Sequence, residues 1–147
     1  MSREKSVCPI CGVELRVKDS RERHSLNRYA EKAIYIIRRL RCIGCGKLHT
    51  ELPDCIYPNK WYDSETIEAV IQNEAEDCRA CPTTMKRWKS WFKRVTQHIE
   101  GLLAVIHEQP MNLLSRFSLL ENQMTKGPGW LKTVSEQIVN SGYRVPT

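Results

Sequence analysis

Cys8-Pro9-Ile10-Cys11-Gly12 and Cys42-Ile43-Gly44-Cys45-Gly46 decide how this chain is read. Each separates two thiols by two residues and follows them with a glycine. A tight turn at that spacing aims both sulfurs at one point, and the glycine relaxes the backbone around them. Two such turns brought together make a four-thiolate tetrahedron, which suits Zn²⁺ better than other common ions. The pattern predicts a zinc ribbon in which Cys8, Cys11, Cys42 and Cys45 hold one structural ion. Iron–sulfur, redox-pair and buried-thiol readings compete with it.

The thirty residues between the pairs exceed the usual span of about 15–20. A long hairpin inserted between the two turns absorbs the excess. A disulfide framework needs an oxidising compartment, and the opening Met1-Ser2-Arg3-Glu4-Lys5 has no apolar stretch behind it. Seven cysteines also leave at least one unpaired. A thioredoxin-like site sits in a βαβ pattern, which is missing. The expected compartment is the cytoplasm.

The chain has 147 residues and a formal charge of +6, from 23 basic and 17 acidic side chains. That excess is compatible with nucleic acid without identifying it. No segment is apolar enough to span a membrane. With 41% hydrophobic residues, a short N-terminal unit buries too little to fold securely alone. A structural zinc site contributes on the order of 10–16 kcal/mol of apparent binding energy and offsets that deficit.

The expected class is α+β: a zinc ribbon of antiparallel hairpins over residues 1–57, then an all-α part over 58–147. Glu14 to Lys18 alternates like a half-buried strand, Asp19 to Arg28 reads as a polar hairpin loop, and Ala33 to Cys42 reads as a second strand. That strand puts Ile34, Ile36 and Leu40 on one face and Tyr35, Ile37, Arg39 and Arg41 on the other. Arg39 and Arg41 are candidate phosphate contacts. Leu52-Pro53-Asp54 and Tyr57-Pro58-Asn59 read as a linker.

Two helices then form a helix-turn-helix-like pair, residues 63–76 and 83–100. Asp63 or Ser64 caps the first, and Pro82 suits the start of the second. Between Arg79 and Arg94 the chain has six basic residues and no acid. Met85, Trp88, Phe92, Val95 and Ile99 make one apolar stripe. Thr83, Lys86, Arg87, Lys89, Lys93 and Arg94 are then left for DNA, as a groove-reading helix requires. An ordinary solvated lysine face fits the same pattern. The intervening turn, near eight residues, is longer than the usual three or four.

A third pair, Cys78-Arg79-Ala80-Cys81, cannot close a tetrahedral site alone. His49 and Cys55 are potential completing ligands for a second zinc, but nothing in the spacing demands convergence. The expectation is free thiols in the inter-helix turn. Leu102, Leu103 and Ile106 continue the stripe as far as Pro110, and Leu113, Leu114, Phe117, Leu119 and Leu120 form another apolar run. Lys126-Gly127-Pro128-Gly129 is a firm break. A final amphipathic helix runs from Trp130 towards Asn140-Ser141-Gly142.

Cys8-Pro9-Ile10-Cys11-Gly12, Ile36-Ile37-Arg38-Arg39-Leu40-Arg41-Cys42, Leu48-His49-Thr50-Glu51-Leu52-Pro53-Asp54 and Thr84-Met85-Lys86-Arg87-Trp88-Lys89-Ser90-Trp91-Phe92 carry a resemblance. With Gly129-Trp130-Leu131 to Asn140-Ser141-Gly142, they resemble an uncharacterised family of small bacterial proteins, mainly from Firmicutes. Those proteins are similar in layout to the N-terminal regions of insertion-sequence transposases. The resemblance implies a zinc ribbon on Cys8, Cys11, Cys42 and Cys45, and a recognition helix over residues 83–94.

No catalytic constellation is argued for by spacing. The acids after the basic helix, Glu100, Glu108, Glu121 and Glu136, suit helix surfaces. His24, His49, His98 and His107 are scattered and read as packing or surface residues. The chain is therefore expected to be a non-enzymatic, zinc-dependent partner of duplex DNA, with a homodimer open. The competing reading is a protein–protein adaptor. Neither a membrane nor a small-molecule substrate is expected.

Overall fold

The computed structural model describes residues 6–108 and 113–146, and for 113–118 the backbone alone. Residues 1–5, Pro110 and the side chains of Leu113, Leu114 and Phe117 lie outside the described residues. The architecture is α+β: a three-stranded antiparallel sheet ordered β1-β2-β3, followed by helices. The strands are β1 (Leu15–Leu26), β2 (Lys32–Cys42) and β3 (Leu48–Thr50). The helices are α1 (Ser64–Ile71), α2 (Pro82–Ile106), α3 (Leu113–Met124) and α4 (Trp130–Asn140).

The β1–β2 hairpin is longer than the alternation in the sequence suggests. Asp19 to Leu26, expected as loop, is strand and pairs with β2 from Asp19↔Arg39 to Leu26↔Lys32. The cross-strand Asp19–Arg39 ion pair joins the two strands there. The turn is residues 27–31. Asn27 Oδ1 accepts the N–H groups of Tyr29 and Glu31, both at 3.0 Å, and Ala30 takes φ 62°.

A register shift between Val17 and Asp19 marks a bulge at Lys18, opposite Arg39 and Leu40. Burial changes sides there. Ala33, Tyr35 and Ile37 are the covered positions towards the hairpin tip, whereas Leu40 and Cys42 are covered near the cysteines. Ile34 and Ile36 consequently face solvent although they share a face with Leu40.

The hairpin end is tied to the helical part. Leu26 N–H donates to the Trp61 carbonyl and Asp63 N–H to the Leu26 carbonyl, both at 2.9 Å, and Arg79 N–H donates to the Arg28 carbonyl at 2.7 Å. Asp63 Oδ1 accepts from Thr66 N–H at 2.8 Å, which caps α1. α1 ends at Ile71, five residues short of the expected position, because Asn73 turns the chain with φ 63°. Residues 72–81 then connect it to α2, a longer link than a helix-turn-helix turn. α2 does begin at Pro82 and runs to Ile106, beyond the expected 100.

The apolar core joins Tyr57 to α1, α2, α3 and α4. The stripe on α2 includes Trp91, which the spacing reading omitted; it packs edge-on against Tyr57 with centroids 5.1 Å apart. Phe92 packs likewise on Trp130 at 5.5 Å. Two acids are inside. Glu68 accepts the N–H groups of Gly129 and Leu131, both at 2.7 Å, and so caps α4 from another helix. Glu100, expected on the surface, is buried and accepts from Leu120 N–H at 3.0 Å. A periodic pattern places a glutamate on a helix but does not reveal that α3 covers it.

Candidate metal centre

Both cysteine pairs fold as the same turn. In the first, Gly12 N–H donates to the Cys8 carbonyl at 2.8 Å and Cys8 N–H to the Val13 carbonyl at 2.8 Å. In the second, Gly46 N–H donates to the Cys42 carbonyl at 3.1 Å and Cys42 N–H to the Lys47 carbonyl at 2.9 Å. Gly12 and Gly46 take φ 71° and 70°, a conformation that a side chain would strain. The turns approach closely enough that a Cβ on Gly44 would lie 3.0 Å from the Val13 side chain.

The four sulfurs of Cys8, Cys11, Cys42 and Cys45 all lie within 4.8 Å of one another. Cys8 and Cys45 Sγ are 3.8 Å apart, Cys11 and Cys42 Sγ 3.3 Å. Metal–sulfur bonds of about 2.3 Å give a tetrahedron edges of about 3.8 Å, so the cluster could hold a metal ion with small adjustments. Cys8 and Cys42 are buried and Cys11 and Cys45 exposed, so one side of the cluster is open to solvent.

The backbone already favours thiolate here. Gly44 and Cys45 N–H both donate to Cys42 Sγ at 3.4 Å. The Cys45 N–H, helped by the Cys11 thiol and the Gly44 N–H, holds the Cys42 thiol down at about 6. At Cys11 the Val13 N–H pulls downward, but the Cys42 thiol, burial and the Cys8 and Cys45 thiols prevail and push it up to about 11.

His49, on β3, places Nε2 at 3.4 Å from Cys8 Sγ. It therefore belongs beside the four sulfurs rather than with Cys78 and Cys81, the alternative weighed from the sequence. A ring nitrogen hydrogen-bonded to a ligand atom orients that ligand. The cue in the sequence was its closeness to the second turn, four residues after Cys45. Cys55 is not among the clustered sulfurs. Cys81 precedes α2, where the Thr83 N–H, the Thr83 hydroxyl and the Thr84 N–H lower its thiol.

Thr83, Lys86, Arg87, Lys89, Lys93 and Arg94 are all exposed on α2, whereas Trp88, Trp91 and Ile99 are buried. Lys89 Nζ donates to Asn73 Oδ1 at 2.6 Å. Thr83, Lys86, Arg87 and Arg94 line a common cleft with Lys60. Arg39 is not brought there. Its guanidinium is clamped by Asp19 at the cysteine end of β2, and Arg38 likewise by Glu51 at 2.6 Å. Arg41 is exposed and pairs in register with Arg16, placing two cations side by side. No helix among the described residues is long and apolar enough to cross a membrane.

A family model described as "Domain of unknown function (DUF6431)" matches residues 8–88, more than half of the chain. The matched segment spans both cysteine turns, the sheet, α1 and the first turns of α2. Neither the curated proteins nor the solved structures provide a match.

Proposed function

On the premise that this chain belongs to the DUF6431 family, we propose that it is a zinc-dependent protein that binds duplex DNA and has no nuclease activity. Zn²⁺ is the ion that four thiolates in two such turns favour, and its role is to fix the ribbon. The ribbon then acts as a stiff platform from which Arg41 meets phosphate. Arg39, engaged by Asp19, is left out of that role. The order of parts, a ribbon ahead of a basic helix, supports a kinship with transposase DNA-binding regions.

One observation carries the reading. α2 buries its aromatic side and turns Thr83, Lys86, Arg87, Lys93 and Arg94 to solvent, with no acid from residue 83 to 99. Such a helix is anchored on one side and offers cations and a hydroxyl on the other, the chemistry that phosphates and base edges require. Fluorescence polarisation of the zinc-loaded chain against random duplex DNA tests it. Affinity should fall steeply with salt, and Lys86→Ala with Arg87→Ala should lower the slope of log affinity on log salt by about 1.8. An unchanged slope refutes the assignment.

The exposure of Ile34 and Ile36, at 57% and 66%, favours a second reading as a protein–protein adaptor. A partner retained after nuclease digestion at high salt would support it over DNA.

A further inference from the structure

The cleft between residues 59–62 and the start of α2 has a chemistry that duplex binding does not explain. Its volume is about 840 Å³, and its lining includes Lys60, Lys86, Arg87 and Arg94 but no acidic side chain. Trp61 stands at its rim with 70% of its surface exposed, whereas Trp88, Trp91 and Trp130 are buried.

An exposed tryptophan on a slack loop would mean little. Here the backbone beneath it is tied. Leu26 N–H donates to the Trp61 carbonyl at 2.9 Å, and Arg23 Nη2 donates to the preceding Lys60 carbonyl at 2.9 Å. On the other side Tyr62 packs edge-on against Trp88, centroids 5.0 Å apart. The indole is thus presented by a fixed frame, and ordering it on a ligand costs little backbone entropy.

Inside the cleft the cations are crowded. Lys60 Nζ lies 4.1 Å above the Trp91 ring, and burial together with the charge of Arg94 disfavours its protonated form. Trp91 also lines the cleft, with its indole Nε1 buried and without an acceptor among the described residues. Clustered cations are relieved by an anionic oxygen. A phosphodiester supplies that oxygen. A paired duplex keeps its base faces stacked, so an upright, exposed ring finds its partner on an unpaired base.

We propose that this cleft seats single-stranded DNA, with Trp61 stacked on an unpaired base and Lys60, Lys86, Arg87 and Arg94 holding the flanking phosphates. The inference rests on the reading above in one respect, that the basic side of α2 meets phosphate. It extends that reading to an opened strand and adds Trp61 and Lys60 to the site.

The test measures the zinc-loaded full chain against a short oligothymidylate and against a blunt duplex, by polarisation and by intrinsic tryptophan emission. The oligothymidylate should quench the solvent-exposed part of the emission, which Trp61 alone supplies. Trp61→Ala should lower oligothymidylate affinity by roughly 5- to 150-fold, and Trp61→Phe should restore most of it. Duplex affinity should change by no more than about twofold. Circular dichroism confirms that the exposed substitution leaves the fold intact. Equal oligothymidylate binding by Trp61→Ala and the parent, with duplex binding retained, overturns this inference and spares the duplex reading. Equal losses on both ligands make Trp61 a wedge in duplex DNA and also overturn it. No binding of either ligand at low salt overturns both.

Discussion

Replacing Glu68 by alanine tests how the helical part is held together. The carboxylate is 2% exposed and accepts two N–H groups, those of Gly129 and Leu131, at 2.7 Å each. Gly129, the residue before α4, has no side chain with which to cap the helix, so Glu68 supplies the cap from α1. Truncation leaves two N–H donors unpaired, at about 1–3 kcal/mol each. Relief of the desolvated carboxylate offsets part of that. A net loss of about 3 kcal/mol follows, or about 6–12 °C in melting temperature for a chain of this size. Thermal melting by circular dichroism reads the loss, and hydrogen exchange should show the Leu131 amide deprotected. A shift within about 0.5 kcal/mol, the range of an ordinary surface change, refutes the capping argument.

The same residue gives a pH test. Burial raises the Glu68 carboxyl above its ordinary value of 4.5, although the Gly129 and Leu131 N–H groups pull it back. The folded state therefore binds more protons than the unfolded state from pH 4.5 up to the raised value. This contribution to stability is present below 4.5 and is lost as pH rises through that window. Glu100, also raised by burial, acts in the same direction. Glu68→Gln should flatten the decline, and an identical pH slope in the variant would contradict the assignment.

Three further outcomes follow from the ribbon and from the glycines. Cys45→Ser, or chelation of the parent chain, should lower bound metal from one ion per chain and abolish amide protection across β1 and β2. The helical signal should largely persist, because the core joining α1 to α4 contains no cysteine ligand; unchanged strand protection by hydrogen exchange would rule out a structural ion. Gly44→Ala should weaken metal retention in a chelator competition, since its Cβ would lie 3.0 Å from the Val13 side chain. Gly101→Ala, with open space at its Cβ inside α2, should stabilise by about 0.5–1 kcal/mol in urea unfolding.

The spacing within Cys8–Cys11 and within Cys42–Cys45 set the two turns, because a C-x-x-C turn converges its own pair of sulfurs through local geometry; the β1–β2 pairing then brings the turns together into a cluster that could hold a metal ion. Local rules likewise set the start of α2 at Pro82 and of α4 after Gly129, and the cap at Asp63. Other features depended on partners distant in the chain. Asp19 to Leu26 is strand because β2 pairs with it across the hairpin, which its polar composition conceals. Glu68 and Glu100 are interior because α4 and α3 bring backbone N–H groups to them. Arg39 meets Asp19 twenty residues away, and His49 meets Cys8 forty-one away. Trp61 is held outward only because Leu26 and Arg23 fix the backbone around it. Sequence spacing encodes contacts within a turn or a helix face, whereas the environment of a charge or an aromatic ring belongs to whatever the fold packs against it.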